Sequence, residues 1–156
     1  MIIYYLIIPL ALLFVPWLIV RYAFKTKQTE NLPYKKHAAY LLAAALVWWA
    51  AMLLPNIPVS GQTDTTTMHF LGGAVAALLF VYAVKSYRIR FVERWQPWIS
   101  LFLFVSALGV LNELFEFFLS FTQFAVEGGD EWWDLAANTA GAYAAYIFIR
   151  AIDKYL

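Results

Sequence analysis

The stretch MHFLGGAVAALLFVYAV, residues 68–84, runs for 17 residues without a charged side chain and holds a histidine near its start. Together with its neighbours it forms an apolar segment that covers residues 67–87. A hydrocarbon core about 30 Å thick is spanned by about 20 apolar residues in a helix. No water is present there to bond the backbone, so every peptide group must find its partner inside the segment. The stretch therefore predicts a membrane-spanning helix.

The rest of the chain repeats this pattern. The 156 residues are 63% hydrophobic and 13% charged, about half the charge of a typical soluble domain. We read five apolar spans with short connectors, at about 2–24, 37–54, 67–87, 98–122 and 132–151. The first has neither a basic leader nor a small-residue cleavage site, so we expect a retained helix rather than a signal peptide. The sequence predicts an all-α integral membrane protein, a bundle of five transmembrane helices forming a single membrane domain, 1–156.

Composition also excludes several classes of function. The chain has no cysteine, which removes disulfides, thiolate catalysis and cysteine-ligated metals. Its net charge is +1, and it has neither a glycine-rich phosphate loop nor a basic patch interleaved with polar residues. We therefore expect no nucleic-acid partner.

The basic residues give the expected orientation. In the five-span arrangement all 11 lysines and arginines fall on one side of the membrane. Cytoplasmic loops carry the excess of lysine and arginine. The sequence thus predicts a multi-pass protein of the plasma (inner) membrane with its amino terminus outside and its carboxy terminus inside. The residues are Arg21, Lys25, Lys27, Lys35, Lys36, Lys85, Arg88, Arg90, Arg94, Arg150 and Lys154.

The fourth span contains polar residues that are costly in hydrocarbon. The stretch LGVLNELFEFFLSF, residues 108–121, includes Asn112, Glu113 and Glu116. If the helix leaves the membrane near Thr122, Glu116 lies about 9 Å and Glu113 about 13 Å below the exit. A central acid costs about 2.5–3.5 kcal/mol, so both should face protein or a wet cavity. Two acids one turn apart also repel when ionised, so they need a shared proton, a cation or a cationic partner.

Helical spacing groups these acids with residues of two other spans. Positions three and four apart share a face, and small residues let membrane helices approach closely. Three stripes result, each with polar residues toward the outer side and small residues below them. They are His69, Gly72, Gly73 and Ala76; Gly109, Glu113, Glu116 and Ser120; and Asp134, Asn138, Gly141 and Ala145. We expect His69, Glu113, Glu116, Asp134 and Asn138 to line one outward-facing pocket, with close helix contacts at Gly72, Gly73 and Gly141.

Three motifs resemble a known family. HFLGGA at 69–74, the pair Glu113 and Glu116, and DLAANTAG at 134–141 are similar to the VanZ-like membrane proteins and related small bacterial and archaeal families of unknown function. The resemblance covers about residues 64–146. Glu116 stands where VanZ proper has glutamine, which favours the related families. The resemblance implies a role in the cell envelope, near lipids or lipid-linked cell-wall precursors.

Three functions stay open. The first is a membrane enzyme or binding protein for a lipid or lipid-linked substrate. Its catalytic residues would be His69, Glu113 and Glu116, and its substrate-binding residues Asp134 and Asn138. His69, Glu113, Glu116 and Asp134 would hold a divalent cation; oxygen ligands suit Mg²⁺, Mn²⁺ or Ca²⁺, and the imidazole keeps Zn²⁺ open.

The second function is a small proton-coupled transporter that uses the glutamates as proton sites. The third is a non-catalytic accessory subunit whose polar cluster only assembles the helices. In this last case Asp134 would stabilise the positive end of its own helix, and Asn138 would bond between helices. The expected partners are membrane lipids, with a lipid-linked substrate or another membrane protein.

Overall fold

The computed structural model describes residues 34–57, 65–86, 89–121 and 131–153, and the elements in these ranges are all α-helices. They are α1 Tyr34–Leu53, α2 Thr66–Ser86, α3 Gln96–Ser120 and α4 Glu131–Asp153. These helices correspond to the second to fifth predicted spans, so the all-α prediction is confirmed there. The first span, 2–24, lies outside the described residues, and the count of five helices stays a prediction.

Helix α2 is the centre of the described bundle. On one side, Val75 and Leu79 pack against Ala44 of α1. On the other side, residues of α2 form a larger apolar cluster with α3 and α4. The buried members of that cluster are Ala76, Ala77, Phe80, Val81, Leu101, Val105, Ala142 and Tyr146.

Helices α2 and α4 run in the same direction. Near their starts, His69 of α2 meets Asp134 of α4. Further along, the Phe80 and Tyr146 rings lie 6.1 Å apart in an edge-to-face arrangement. The parallel arrangement places the first turns of both helices at one end of the bundle.

Helix α3 runs antiparallel to α4. The Tyr143 hydroxyl near the end of α4 donates a hydrogen bond of 3.2 Å to the carbonyl oxygen of Trp98 at the start of α3. Later in α3, Gly109 lies against Leu135 near the start of α4. The carboxyl end of α3, which carries Glu113, therefore lies at the same end of the bundle as the starts of α2 and α4.

Two of the described helices are long and apolar enough to cross a membrane. These segments are Thr66–Lys85 and Gln96–Leu114, whereas the apolar part of α1, Ala39–Leu53, is shorter. A core helix of a water-soluble protein can pass the same test of length and composition. The two segments differ in burial, since 61% of the α2 segment is buried within the bundle but only 17% of the α3 segment.

Candidate functional site

A buried polar cluster joins the first turns of α2 and α4. His69 Nε2 lies 3.2 Å from Asp134 Oδ2, and His69 Nδ1 lies 3.2 Å from Asn138 Nδ2. The Thr65 hydroxyl donates a hydrogen bond of 3.1 Å to Asp134 Oδ1. His69 and Asp134 are each only 7% exposed. We call Thr65, His69, Asp134 and Asn138 the His69 cluster.

The partners of the His69 ring assign its tautomer. With the Asn138 amide oriented as it is in this structure, its Nδ2 donates and Nδ1 of His69 accepts. The ring proton then resides on Nε2, which donates to the Asp134 carboxylate. In this arrangement both ring nitrogens are occupied within the protein.

Glycines bring α2 and α4 into direct backbone contact beneath the cluster. A Cβ atom added at Gly73 would collide with the backbone carbonyl of Asn138, and one added at Gly141 would collide with that of Phe70. At Gly72 the same atom would meet Asn138 Oδ1 at an ordinary 3.4 Å. The close helix contacts predicted at Gly73 and Gly141 are therefore confirmed. Because the main chains touch, the side chains of His69 and Asn138 can reach across a short gap.

Helix α3 presents Glu113 toward the same end of this interface. A Cβ atom on Gly109 would lie 2.7 Å from Leu135 Cδ2 and 3.9 Å from Asn138 Nδ2, so this face of α3 packs on α4. Glu113 follows Gly109 by four residues on the same face, and Asp134 precedes Asn138 by four. Because α3 and α4 are antiparallel, Glu113 and Asp134 therefore lie at about the same height along the bundle. Glu113 is partly buried, with its Oε1 enclosed from solvent.

The remaining predicted ligand, Glu116, is placed only by its backbone in α3, since its side chain lies outside the described residues. Asn112 is partly buried at the edge of the same face. Among the side chains that the structure describes, no group of three or more His, Asp or Glu residues could hold a metal ion. The metal site of His69, Glu113, Glu116 and Asp134 therefore stays a prediction.

Sequence patterns did not single out Thr65. It precedes His69 by four residues and so shares its face of the helix, which is the signal that could have identified it. Its hydroxyl satisfies the carboxylate oxygen of Asp134 that does not face His69. The carboxylate is thus held on one oxygen by Thr65, directly before α2, and on the other by His69 of α2.

Comparison with known protein families, curated proteins and solved structures finds no match to this chain. The VanZ-like resemblance stays a prediction that rests on the motifs at 69–74, 113–116 and 134–141. The features of the described residues that bear on function are the His69 cluster and the exposed faces of the helices.

Proposed function

We propose that this chain is a multi-pass protein of the plasma (inner) membrane, with an outside amino terminus and an inside carboxy terminus, that serves as a non-catalytic envelope subunit. The apolar outer surfaces of its helices support membrane insertion. In water, large exposed apolar patches promote association or aggregation, whereas lipid solvates them. Exposed large side chains include Leu42, Leu46 and Trp49 of α1, Phe102, Leu103 and Phe117 of α3, and Ile147 and Phe148 of α4.

One observation carries the non-catalytic assignment: both nitrogens of His69 are engaged, by Asp134 and Asn138. A general base needs a nitrogen within reach of the proton that it removes. Here both imidazole nitrogens face side chains of α4 at the contact between α2 and α4, and the backbones of the two helices touch at Gly73 and Gly141. The His69 cluster thus holds α2 and α4 together through hydrogen bonds between the helices.

This contact between α2 and α4 determines which helix faces stay exposed. Among the described helices, holding α2 and α4 in parallel leaves α1 and α3 on the outside of the bundle with apolar side chains exposed. Those faces meet lipid or the helices of a partner membrane protein. The function is then to assemble or stabilise a membrane complex of the cell envelope.

Paired apolar replacements test this proposal. Removing one partner of a buried hydrogen bond leaves the other unsatisfied, at a cost of about 1–3 kcal/mol or more for a charged group, whereas replacing both partners by apolar groups can be nearly neutral. His69→Leu and Asp134→Leu should each lower the thermal unfolding midpoint in detergent, and the double variant should recover most of the loss. The double variant should also migrate with wild-type size when solubilised membranes are analysed by native electrophoresis.

The matched control is Thr139→Val on α4. The Thr139 hydroxyl donates only to the Leu135 carbonyl of its own helix, at 2.8 Å, so its loss should leave both readouts unchanged. A double Leu variant that folds as well as wild type, yet loses a metal ion or lipid that wild type retains, would instead assign the cluster to ligand binding.

A ligand-binding function is the second candidate, and the position of Glu113 favours it. The register of α3 against α4 brings this carboxylate to the level of Asp134, at the end of the bundle where the sequence predicts an outward-facing pocket. With Glu116, these acids would hold a divalent cation against the headgroup of a lipid or lipid-linked substrate. The two candidates differ in whether the purified wild-type protein retains a metal ion.

A further inference from the structure

A second site lies at the opposite end of the bundle from the His69 cluster. A groove of about 680 Å³ is enclosed by the end of α2, the segment before α3, the start of α3 and the end of α4. Under the predicted orientation it faces the cytoplasmic leaflet.

The charge of the groove is positive. Lys85, Arg94 and Arg150 line it together with one acid, Glu93, which leaves a net charge of +2. Three different segments thus contribute a cation to the border of the groove, although the whole chain has a net charge of only +1. The Lys85 ammonium also lies 5.7 Å from the centre of the Tyr40 ring of α1.

The floor of the groove is aromatic. Phe91, Trp98 and Tyr146 are among the lining residues. The Arg150 guanidinium carbon lies 6.0 Å from the centre of the Trp98 ring and 5.9 Å from that of Tyr146. These two rings meet edge to face, with centres 5.0 Å apart. They limit where the guanidinium can lie, while its N–H groups can still reach an anion.

A smaller cavity of about 260 Å³ shares Trp98 and Arg150 with the groove. Its other lining residues, Ile147 and Ala151, lie on the exposed surface of α4. The path from the cations therefore continues past Arg150 onto an apolar surface that faces outward from the bundle.

We propose that this groove binds an anionic phospholipid, with the phosphate at Arg94 and Arg150 and an acyl chain along Trp98 and Ile147. Arginine recognises phosphate through paired N–H donors, and basic pockets between helices on the cytoplasmic side suit anionic headgroups. The apolar continuation favours a lipid over free phosphate, because a small anion would leave those surfaces unused. The inference rests on the membrane insertion proposed above but not on the role of His69.

Lipid binding to the full-length protein in neutral detergent tests the proposal. Native mass spectrometry would follow the titration of short-chain phosphatidylglycerol, with phosphatidylcholine and inorganic phosphate as separate probes. Wild type should prefer phosphatidylglycerol to phosphatidylcholine. Arg94→Gln and Arg150→Gln should each weaken phosphatidylglycerol binding roughly fivefold, the expected effect of one cation near a lipid surface, and Arg150→Lys should retain most of it.

Arg90→Gln is the matched control, because Arg90 is exposed on the same connector and does not line the groove. It should bind phosphatidylglycerol as wild type does. Equal phosphatidylglycerol binding by wild type, Arg94→Gln and Arg150→Gln would overturn the proposal. Competition by inorganic phosphate at the same concentration as the lipid would overturn the lipid assignment.

Thermal stability distinguishes lipid binding from a purely structural role of the basic residues. Lys85 and Arg150 lie in the last turns of α2 and α4, where cations stabilise a helix end. If that were their only role, Arg150→Gln would lower the unfolding midpoint equally with either lipid. Under the proposal, phosphatidylglycerol stabilises wild type more than Arg150→Gln. If the protein did not insert into membranes at all, wild type and every variant would stay in the aqueous fraction. That outcome is distinguishable from a loss of lipid binding by an inserted protein.

Discussion

At the scale of single residues, the cluster around His69 places polar groups between α2 and α4 and satisfies them there. Nδ1 of His69 faces the Asn138 amide, and Nε2 faces the Asp134 carboxylate. Polar groups left unpaired in hydrocarbon are costly, yet hydrogen bonds between membrane helices contribute only about 0.6 kcal/mol on average and about 1.7 at most. The cluster therefore gives direction and register to the contact more than it gives stability.

Asn138→Leu tests the energetic contribution of one of these bonds. The change removes the donor to His69 and keeps a side chain of similar size, so we expect a loss of about 1 kcal/mol in the free energy of unfolding. Steric trapping or reversible unfolding in mixed micelles would measure it. Thr139→Val is again the control, and an Asn138→Leu protein as stable as that control would show that the amide bond contributes nothing.

Glu113→Gln and Glu116→Gln distinguish an assembly role from a metal site. Glutamine keeps the shape of glutamate and removes its charge, which relieves the desolvation of an ionised acid in an apolar place. We expect a metal-free wild type, and unfolding midpoints that are unchanged or raised in both variants. Elemental analysis and thermal unfolding are the measurements. Metal in wild type that disappears in both variants would favour the ligand-binding candidate.

At the scale of helices, glycine controls the distance between α2 and α4. Gly73 faces the Asn138 backbone, and Gly141 faces the Phe70 backbone. A backbone atom cannot move aside as a side chain can. Any larger residue at these two positions must therefore push one helix away and pull the polar cluster apart.

Gly73→Ala and Gly141→Ala should each destabilise the bundle. Overpacking costs about 1–3 kcal/mol, and separation of the helices adds the lost bonds of His69. Gly72→Ala is the control, because its new methyl group would meet Asn138 Oδ1 at 3.4 Å, an ordinary contact. Unfolding midpoints of the three variants in one detergent would be compared. Similar values for all three would contradict a steric role for Gly73 and Gly141.

At the scale of the whole molecule, the proposed orientation in a membrane decides which leaflet each site would face. The basic residues Lys85, Arg94 and Arg150 gather at one end of the described bundle, and the His69 cluster lies at the other. Retention of basic loops in the cytoplasm would then give the cluster an outer position and the groove an inner one.

Cysteine labelling tests this orientation, since the chain has no cysteine of its own. Single cysteines at Gln62 and Gln123 lie on predicted outer connectors, and one at Gln28 lies on a predicted inner connector. An impermeant thiol reagent on intact cells should label the first two and spare the third. Labelling of Gln28→Cys alone would invert the orientation and exchange the leaflets assigned to the two sites.

Local sequence was enough to define the helices and the positions of closest approach. Predicted spans at 67–87 and 98–122 correspond to α2 and α3 within a few residues, because helix formation in an apolar segment depends on local hydropathy and on backbone hydrogen bonding within the segment. Gly73 and Gly141 were also identified from spacing alone, since a stripe of small residues marks a face that can approach another helix.

Which polar side chains contact each other was decided only by the packing of the helices. Spacing placed His69, Asp134 and Asn138 on faces that could meet, but it could not show that both ring nitrogens of His69 would be occupied. Nor could it show that Arg94 and Arg150 would border one groove. These outcomes depend on the direction and rotation of each helix against its neighbour. Contacts between residues far apart in the chain set both, and no local pattern in the sequence encodes them.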